Sequence, residues 1–408
     1  MLRRDFLQTL AAASITAPIS ALAQTASDKA KGFNLKITGL KTFTVNVGSV
    51  NWVFCKVYTN QGLVGLGEGS ITSKEATLAQ AIMDNERLLI GRDPTNIELI
   101  WQSLYRVPRW RGGPILNSAI SAIEIALWDI LGQSLNAPIY KLLGGAAREK
   151  IRLYLDVGHR PEDFQKAISM GFTAAKSGFI EADHDVVDAH KAVRKGIQSL
   201  EAVRKAVGDD FDIALDPHGR LTTTMAVEFC AAIEPLRPFF VEESTQLEDL
   251  GELAHLRSKT KVPLATGERH FTKYAFTEMC SRHLVDFVQP DVCHAGGILE
   301  LKKIGAIAEA YRVEMAPHNP QSLVSTLASM HVDATTPSST IQEFTAKGDQ
   351  WLVDLFDGAR VEAKNGFADL PTKPGLGCTL NETVAAAHPY KPVKRPEFKF
   401  ADGGISDQ

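Results

Sequence analysis

Apolar and polar positions alternate with a period of two over residues 33–69, in runs at 35–37, 42–45, 52–58 and 64–68. Asn60-Gln61-Gly62 supplies a turn before the last run, so the stretch predicts a short antiparallel meander. The period then becomes helical over 73–89 and again over 117–131, where Ile120, Ile123, Leu127 and Ile130 share one face. Pro138 and Gly144-Gly145 close that stretch, and residues 33–150 read as an α+β module of three strands followed by helices. Beyond it the texture changes. Short apolar runs at 153–155, 174–176, 213–215, 239–241, 263–265, 287–289, 313–315 and 340–342 are separated by amphipathic stretches such as 189–206, 223–233, 247–259 and 299–311. Such alternation predicts parallel strands with crossover helices, and eight units over 151–366 fit a TIM (β/α) barrel; a doubly wound sheet is the alternative. The segment 367–408 is rich in Pro and Gly, cannot build a core of its own, and is expected to return to the first module as part of a cap.

The first 23 residues break this pattern. Arg3 and Arg4 precede a broken apolar stretch and a small-residue end at Ala21-Leu22-Ala23, which reads as a secretory signal rather than a membrane span. Arg3-Arg4 followed by Asp5-Phe6-Leu7 resembles the twin-arginine signal, so a periplasmic protein exported in folded form is expected. No other long apolar run follows. The 408 residues carry 44 Lys and Arg against 48 Asp and Glu, a formal charge of -4 that offers no footprint for nucleic acid or an anionic membrane. Five scattered cysteines lack the close pairs of a zinc or redox motif and read as small buried hydrophobes.

Candidate chemistry sits where the barrel runs end, since a TIM barrel draws its reactive side chains from the C-terminal ends of its strands. Asp216, Glu242, Glu268, Asp291, His318 and Glu343 follow six successive runs at intervals of 26, 26, 23, 27 and 25 residues, each about one βα unit. They should converge on one mouth. Three adjacent carboxylates, Asp216, Glu242 and Glu268, repel one another unless a cation neutralises them, and an oxygen-only set favours Mg²⁺, with Mn²⁺ possible. His318 is placed to pair with Asp291 one strand earlier, and His218 lies two residues beyond Asp216 on the same side of an extended segment. Lys176 ends the second run and Arg269 adjoins Glu268; both are candidates for meeting a substrate carboxylate or an enolate oxygen. His294 and His331 fit no position in this layout and read as structural.

These motifs, Asp216-Pro217-His218-Gly219-Arg220, Val241-Glu242-Glu243, Gly267-Glu268-Arg269, Gln289-Pro290-Asp291, Pro317-His318-Asn319-Pro320 and Gln342-Glu343-Phe344, resemble the enolase superfamily. Within it they are most similar to the mandelate racemase and muconate lactonizing enzyme branch, in particular its acid-sugar dehydratases of the galactonate type. Trp128-Asp129 and Gly375-Leu376-Gly377 extend the resemblance across nearly the whole chain after the signal. The resemblance implies a modified (β/α) barrel under an α+β cap completed by the C-terminal segment. It also implies Mg²⁺ on Asp216, Glu242 and Glu268, His318 with Asp291 as general base, Glu343 on the substrate carboxylate and His218 as general acid. One departure bears on the reaction. Many racemases of this branch carry Lys-x-Lys where this chain has Lys176-Ser177-Gly178, so a base on the opposite face is missing and one-base elimination is favoured over racemisation.

The expected reaction removes the α-proton of an aldonate through a metal-stabilised enediolate and eliminates water to give a 2-keto-3-deoxy acid. Cycloisomerisation of sugar-acid lactones or anhydro acids and epimerisation of hydroxy acids share its first step, and a sugar-acid binding protein without catalysis is the rival from another class. Loops at 47–52 and 106–114 should set specificity, with Arg109, Trp110 and Arg111 contacting a polyhydroxylated anion. The resemblance further implies a homo-oligomer.

Overall fold

A computed structural model describes residues 34–180, 189–345 and 349–407; the expected signal segment lies outside the described residues. The meander forms as an antiparallel sheet in the order β1 (Ile37–Asn46), β2 (Asn51–Thr59), β3 (Val64–Glu68). The runs 35–37 and 42–45 join into β1, with an irregularity in pairing between Ile37 and Gly39. One sheet face lies directly on the helix Pro114–Ser134, and small residues permit the approach: a Cβ at Gly67 would fall 1.9 Å from the Ala122 carbonyl oxygen. That helix is buried at every residue from Asn117 to Ile130, so the single apolar face expected of it understates its packing. Among the described residues it alone is long and apolar enough to cross a membrane, and it spends that character as the core helix of the cap. The stretch 73–89 divides at Asn85 into Glu75–Asp84 and Glu86–Leu89. A further helix, Ile97–Arg106, buries Ile97, Ile100, Trp101 and Leu104, a spacing of three, one and three that is legible in the sequence but was not expected there.

Eight parallel strands follow: β4 (Lys150–Asp156), β5 (Ala174–Ser177), β6 (Asp212–Leu215), β7 (Phe240–Glu242), β8 (Leu264–Thr266), β9 (Phe287–Val288), β10 (Glu314–Met315) and β11 (Gln342–Phe344). Each of the eight expected runs falls in or beside one of them. Neighbours pair in chain order from β4 to β10, and β11 returns to β4 with Gln342 opposite Leu153. A bridge from Met315 to Ser339, supported by the Thr340 N–H on the Met315 carbonyl at 2.9 Å, joins β10 to the approach of β11. This closure selects the barrel over the doubly wound sheet. The interior is filled by large and small residues, Tyr154, Ala174, Ala214, Phe240, Ala265, Phe287 and Ala316 forming one cluster in which Ala214 stands opposite Phe240 and Ala265 opposite Phe287.

The last segment does two jobs. β12 (Phe356–Gly358) pairs with β14 (Cys378–Leu380), and Phe356 packs edge-on against Phe54 of the cap. Between them β13 (Phe367–Asp369) adds an antiparallel strand to β4. Contact with the cap therefore begins before residue 367, and 367–369 itself lies on the barrel. Glu382 reaches Lys41 and Lys56 at 2.9 and 2.7 Å, and the Leu376 N–H donates to Asp129 on the core helix at 2.9 Å. All five cysteines are free and buried.

Candidate active site

The barrel mouth is lined by residues at strand ends. Asp216 follows β6, Glu242 closes β7 and Glu268 stands two residues past β8; one carboxylate oxygen from each lies within 4.8 Å of the others. Each acid is held by the fold. The His218 N–H donates to Asp216 Oδ1 at 3.1 Å, Gln289 Nε2 donates to Glu242 Oε2 at 2.7 Å, and Glu268 Oε2 is buried without a hydrogen-bond partner. Burial and then the neighbouring carboxylates, Asp216 foremost, push Glu242 well above the carboxylate range. Burial raises Glu268 to about 7. Three converging carboxylate oxygens, with no sulfur and no obligatory imidazole, fit a hard divalent cation.

Lys176, on β5, is buried among these acids, with Nζ 3.1 Å from Asp216, 2.9 Å from Glu242 and 3.1 Å from Glu343. It bridges the triad to Glu343 on β11, whose other oxygen accepts the Asn319 N–H at 2.7 Å. Across the mouth, His318 Nδ1 lies 2.7 Å from Asp291 Oδ2 and its Nε2 lies 3.2 Å from Glu268. Burial disfavours the imidazolium, but Glu268 and Asp291 outweigh it and hold His318 well above its ordinary value. His218 takes a left-handed backbone, φ 53°, which turns its ring back so that Nε2 is 3.3 Å from Asp216 Oδ2 while nearly half the side chain stays accessible. Gly178 leaves the space beside it: a Cβ there would come 3.8 Å from His218 Nδ1. The structure thus brings together the three acids, Lys176, Glu343, both histidines and Asp291.

Other expectations change. Arg269 has its guanidinium bound to the buried Glu243, with Nε on Oε2 at 2.7 Å, and to Gln246 at 3.1 Å. Arg109, Trp110 and Arg111 are exposed, Trp110 by 81%; Arg109 lies over Trp110 and Arg111 over Tyr105. His294 is not merely structural, since its Nε2 lies 3.5 Å from Asp291 and its Nδ1 2.9 Å from Ser118. His331 is: it is buried, stacks on Tyr140 and is pushed down to about 3 by burial. Asp156 was missed, although it ends its run as Lys176 ends the next and stands opposite it in the pairing of β4 with β5. The residue is exposed at the strand end, and the protein surrounding the carboxyl at the barrel mouth raises it to about 6, against the pull of Lys176. Gln289 and Gln321 were missed for want of any signal, because neutral amides at strand ends look like ordinary loop residues.

Residues 160–384 match the enolase C-terminal domain-like family, and residues 33–144 match the mandelate racemase / muconate lactonizing enzyme N-terminal domain. The chain belongs to the enolase superfamily. The D-galactonate dehydratase of Ralstonia pickettii (strain 12J) is 36% identical over 385 residues, covering 91% of this chain and 100% of that relative. A solved enolase from Pantoea ananatis with bound D-gluconate and Mg superposes with a TM-score of 0.86 at 30% identity, covering 91% of this chain and 100% of that one. An enolase from Agrobacterium radiobacter with bound Na and L-malate gives 0.85 at 28% identity, covering 91% and 99%. In this enolase-superfamily chain the acid triad therefore stands on the barrel under the cap, with Lys176 and Glu343 on one flank and the Asp291–His318 pair on the other.

Proposed function

We propose that this enolase-superfamily enzyme is a hydro-lyase that dehydrates an acid sugar, an aldonate, to a 2-keto-3-deoxy acid. The observation that carries this reading is the placement of its two histidines. His218 follows β6 and His318 follows β10, four strands apart on a ring of eight, so they face each other across the acid triad. One histidine can take a proton while the other gives one.

Asp216, Glu242 and Glu268 would hold the divalent cation, Mg²⁺ by the chemistry of the donors. Bound there, the cation would polarise the substrate carboxylate and lower the cost of the negative charge left when the α-proton departs. The rest falls to the chain's own groups. Asp291 accepts from His318 Nδ1 and fixes the ring, and Nε2, which lies 3.2 Å from Glu268, would serve as the base for the α-proton with Glu268 taken up by the cation. Lys176 and Glu343 position the carboxylate end of the substrate, the lysine by charge and the acid by hydrogen bonding. As the Cα–H electrons form the Cα=Cβ bond, the β-hydroxyl leaves with a proton from His218, and the enol rearranges to the keto acid; the balance is substrate to keto acid plus water. Gly178 keeps a second base off the His218 side, which supports elimination over racemisation.

Screening an acid-sugar library on the Mg²⁺-loaded protein, with semicarbazide to trap 2-keto acids, tests the reading. A keto acid formed from an aldonate is expected; a lactone or an epimer with no keto acid refutes dehydration. His318→Asn should abolish exchange of the α-proton with D₂O, and exchange that persists would remove His318 as the base.

A further inference from the structure

Asp291 is held from more sides than a His–Asp pair needs. Its Oδ1 accepts the Cys293 N–H at 2.7 Å, while Oδ2 meets His318 Nδ1 and also accepts from Gln321 Nε2, each at 2.7 Å. The same amide nitrogen lies 3.3 Å from His294 Nε2, and His294 Nδ1 lies 2.9 Å from Ser118 Oγ on the core helix of the cap. An amide nitrogen has two hydrogens, so one is used on the carboxylate and the other on a neutral His294 ring, whose Nδ1–H then goes to Ser118. Burial, which lowers His294, agrees with the neutral ring.

The turn carrying Gln321 is pinned from the cap as well. Glu68, at the end of β3, accepts the Ser322 hydroxyl and the Ser325 N–H on Oε2, the latter at 3.1 Å, and the Ser70 hydroxyl on Oε1 at 2.6 Å. Ser325 Oγ in turn stands 3.5 Å from Gln321 Oε1. Glu68, Ser322 and Ser325 are all buried, so this chain of contacts is shielded from water.

We infer that Gln321 is the positioning residue through which the capping module fixes the Asp291–His318 pair. Two donors on one carboxylate oxygen set the plane of the carboxylate, and the plane of the carboxylate sets that of the ring. Gln321 also stands between two histidines that share one acceptor. Without its amide, His294 is free to take the other tautomer, with Ser118 donating to Nδ1 and the ring proton on Nε2, and so to compete for Asp291 Oδ2 from 3.5 Å, and His318 loses its fixed direction. The cap thereby orients the base. This inference rests on the proposed role of His318, and its test is arranged to separate the two.

Gln321→Leu removes the donor and keeps the bulk. With ¹⁵N-labelled histidine, the deshielded Nδ1–H of His318 is expected to shift or broaden relative to the parent. The α-proton exchange rate at saturation should fall about 10- to 100-fold with KM changed less than about threefold. Combined with Asp291→Asn, the Leu variant should cost less than about twofold more, since both act through one carboxylate. A parent-like His318 resonance with full exchange overturns the inference, and so do losses that multiply in the double variant. If the Leu variant melts early, Gln321→Met, equally long and without a donor, takes its place in each measurement. If the resonance depends on Gln321 but no aldonate is dehydrated, the functional reading fails and the positioning role stands.

Discussion

At the scale of residues, the two histidines differ by what holds them. His318 is fixed through Nδ1 by Asp291 and is only slightly exposed, whereas His218 takes a left-handed backbone beside Gly178, which has no side chain to crowd it. Separate placement gives separate variants. His218→Asn should keep α-proton exchange while dehydration falls by about 10²–10⁴, the usual worth of a general acid. Loss of exchange together with dehydration, followed by ¹H NMR in D₂O, would deny the division of labour. Arginines show the limit of reading residues by position. Arg269 sits next to a triad acid in the sequence, yet its partner is Glu243, a second glutamate that nothing in the sequence tells apart from Glu242 until the side chains are oriented. Asp156 shows the opposite: the rule that found Lys176 at a strand end would have found it too.

At the scale of elements, the cap is closed by a clasp rather than by a separate core. Asp129 on the helix Pro114–Ser134 accepts the N–H of Leu66 on β3 and of Leu376 in the returning segment, both at 2.9 Å. Gly375, at φ 66°, is required there because a Cβ would fall 2.1 Å from Asp129 Oδ1. The motifs Trp128-Asp129 and Gly375-Leu376-Gly377 are thus two halves of one contact, 247 positions apart. The helix Leu323–Thr335, which follows the Gln321 turn, carries a buried acid at its C-terminal end. Asp333 has only the Ser339 hydroxyl on Oδ1 and no partner for Oδ2. Burial raises it to about 7, and the negative end of the helix works in the same sense. Because the folded value stands above the unfolded one, its contribution to stability is complete below the ordinary carboxyl range and is lost as the pH rises through about 7. Asp333→Asn should therefore flatten the decline in Tm between about pH 4 and pH 7. Thermal melts of both proteins across that range check it, and an unchanged slope contradicts it.

At the scale of the whole molecule, the triad is a concentration of negative charge that the fold maintains at a cost. A cation bound only by the folded chain should raise stability, by about 2.7 kcal/mol at 100 times its dissociation constant. Melting with and without Mg²⁺ should show a higher Tm with the metal in the parent and almost none of that gain in Glu242→Gln; equal gains in both would place the cation elsewhere. The sequence by itself determined the strand and helix periods, the eight barrel runs, the spacing of the acids and both histidines. Those features are local or repeat once per βα unit, so a one-dimensional pattern carries them. Only the tertiary structure decided that the sheet closes through β11 on β4, that Arg269 turns to Glu243, that Arg109 and Arg111 lie over Trp110 and Tyr105, and that Gln321 and His294 stand behind the base. Each depends on groups far apart in the chain competing for one partner, and such competition is settled by burial and direction, which no spacing encodes.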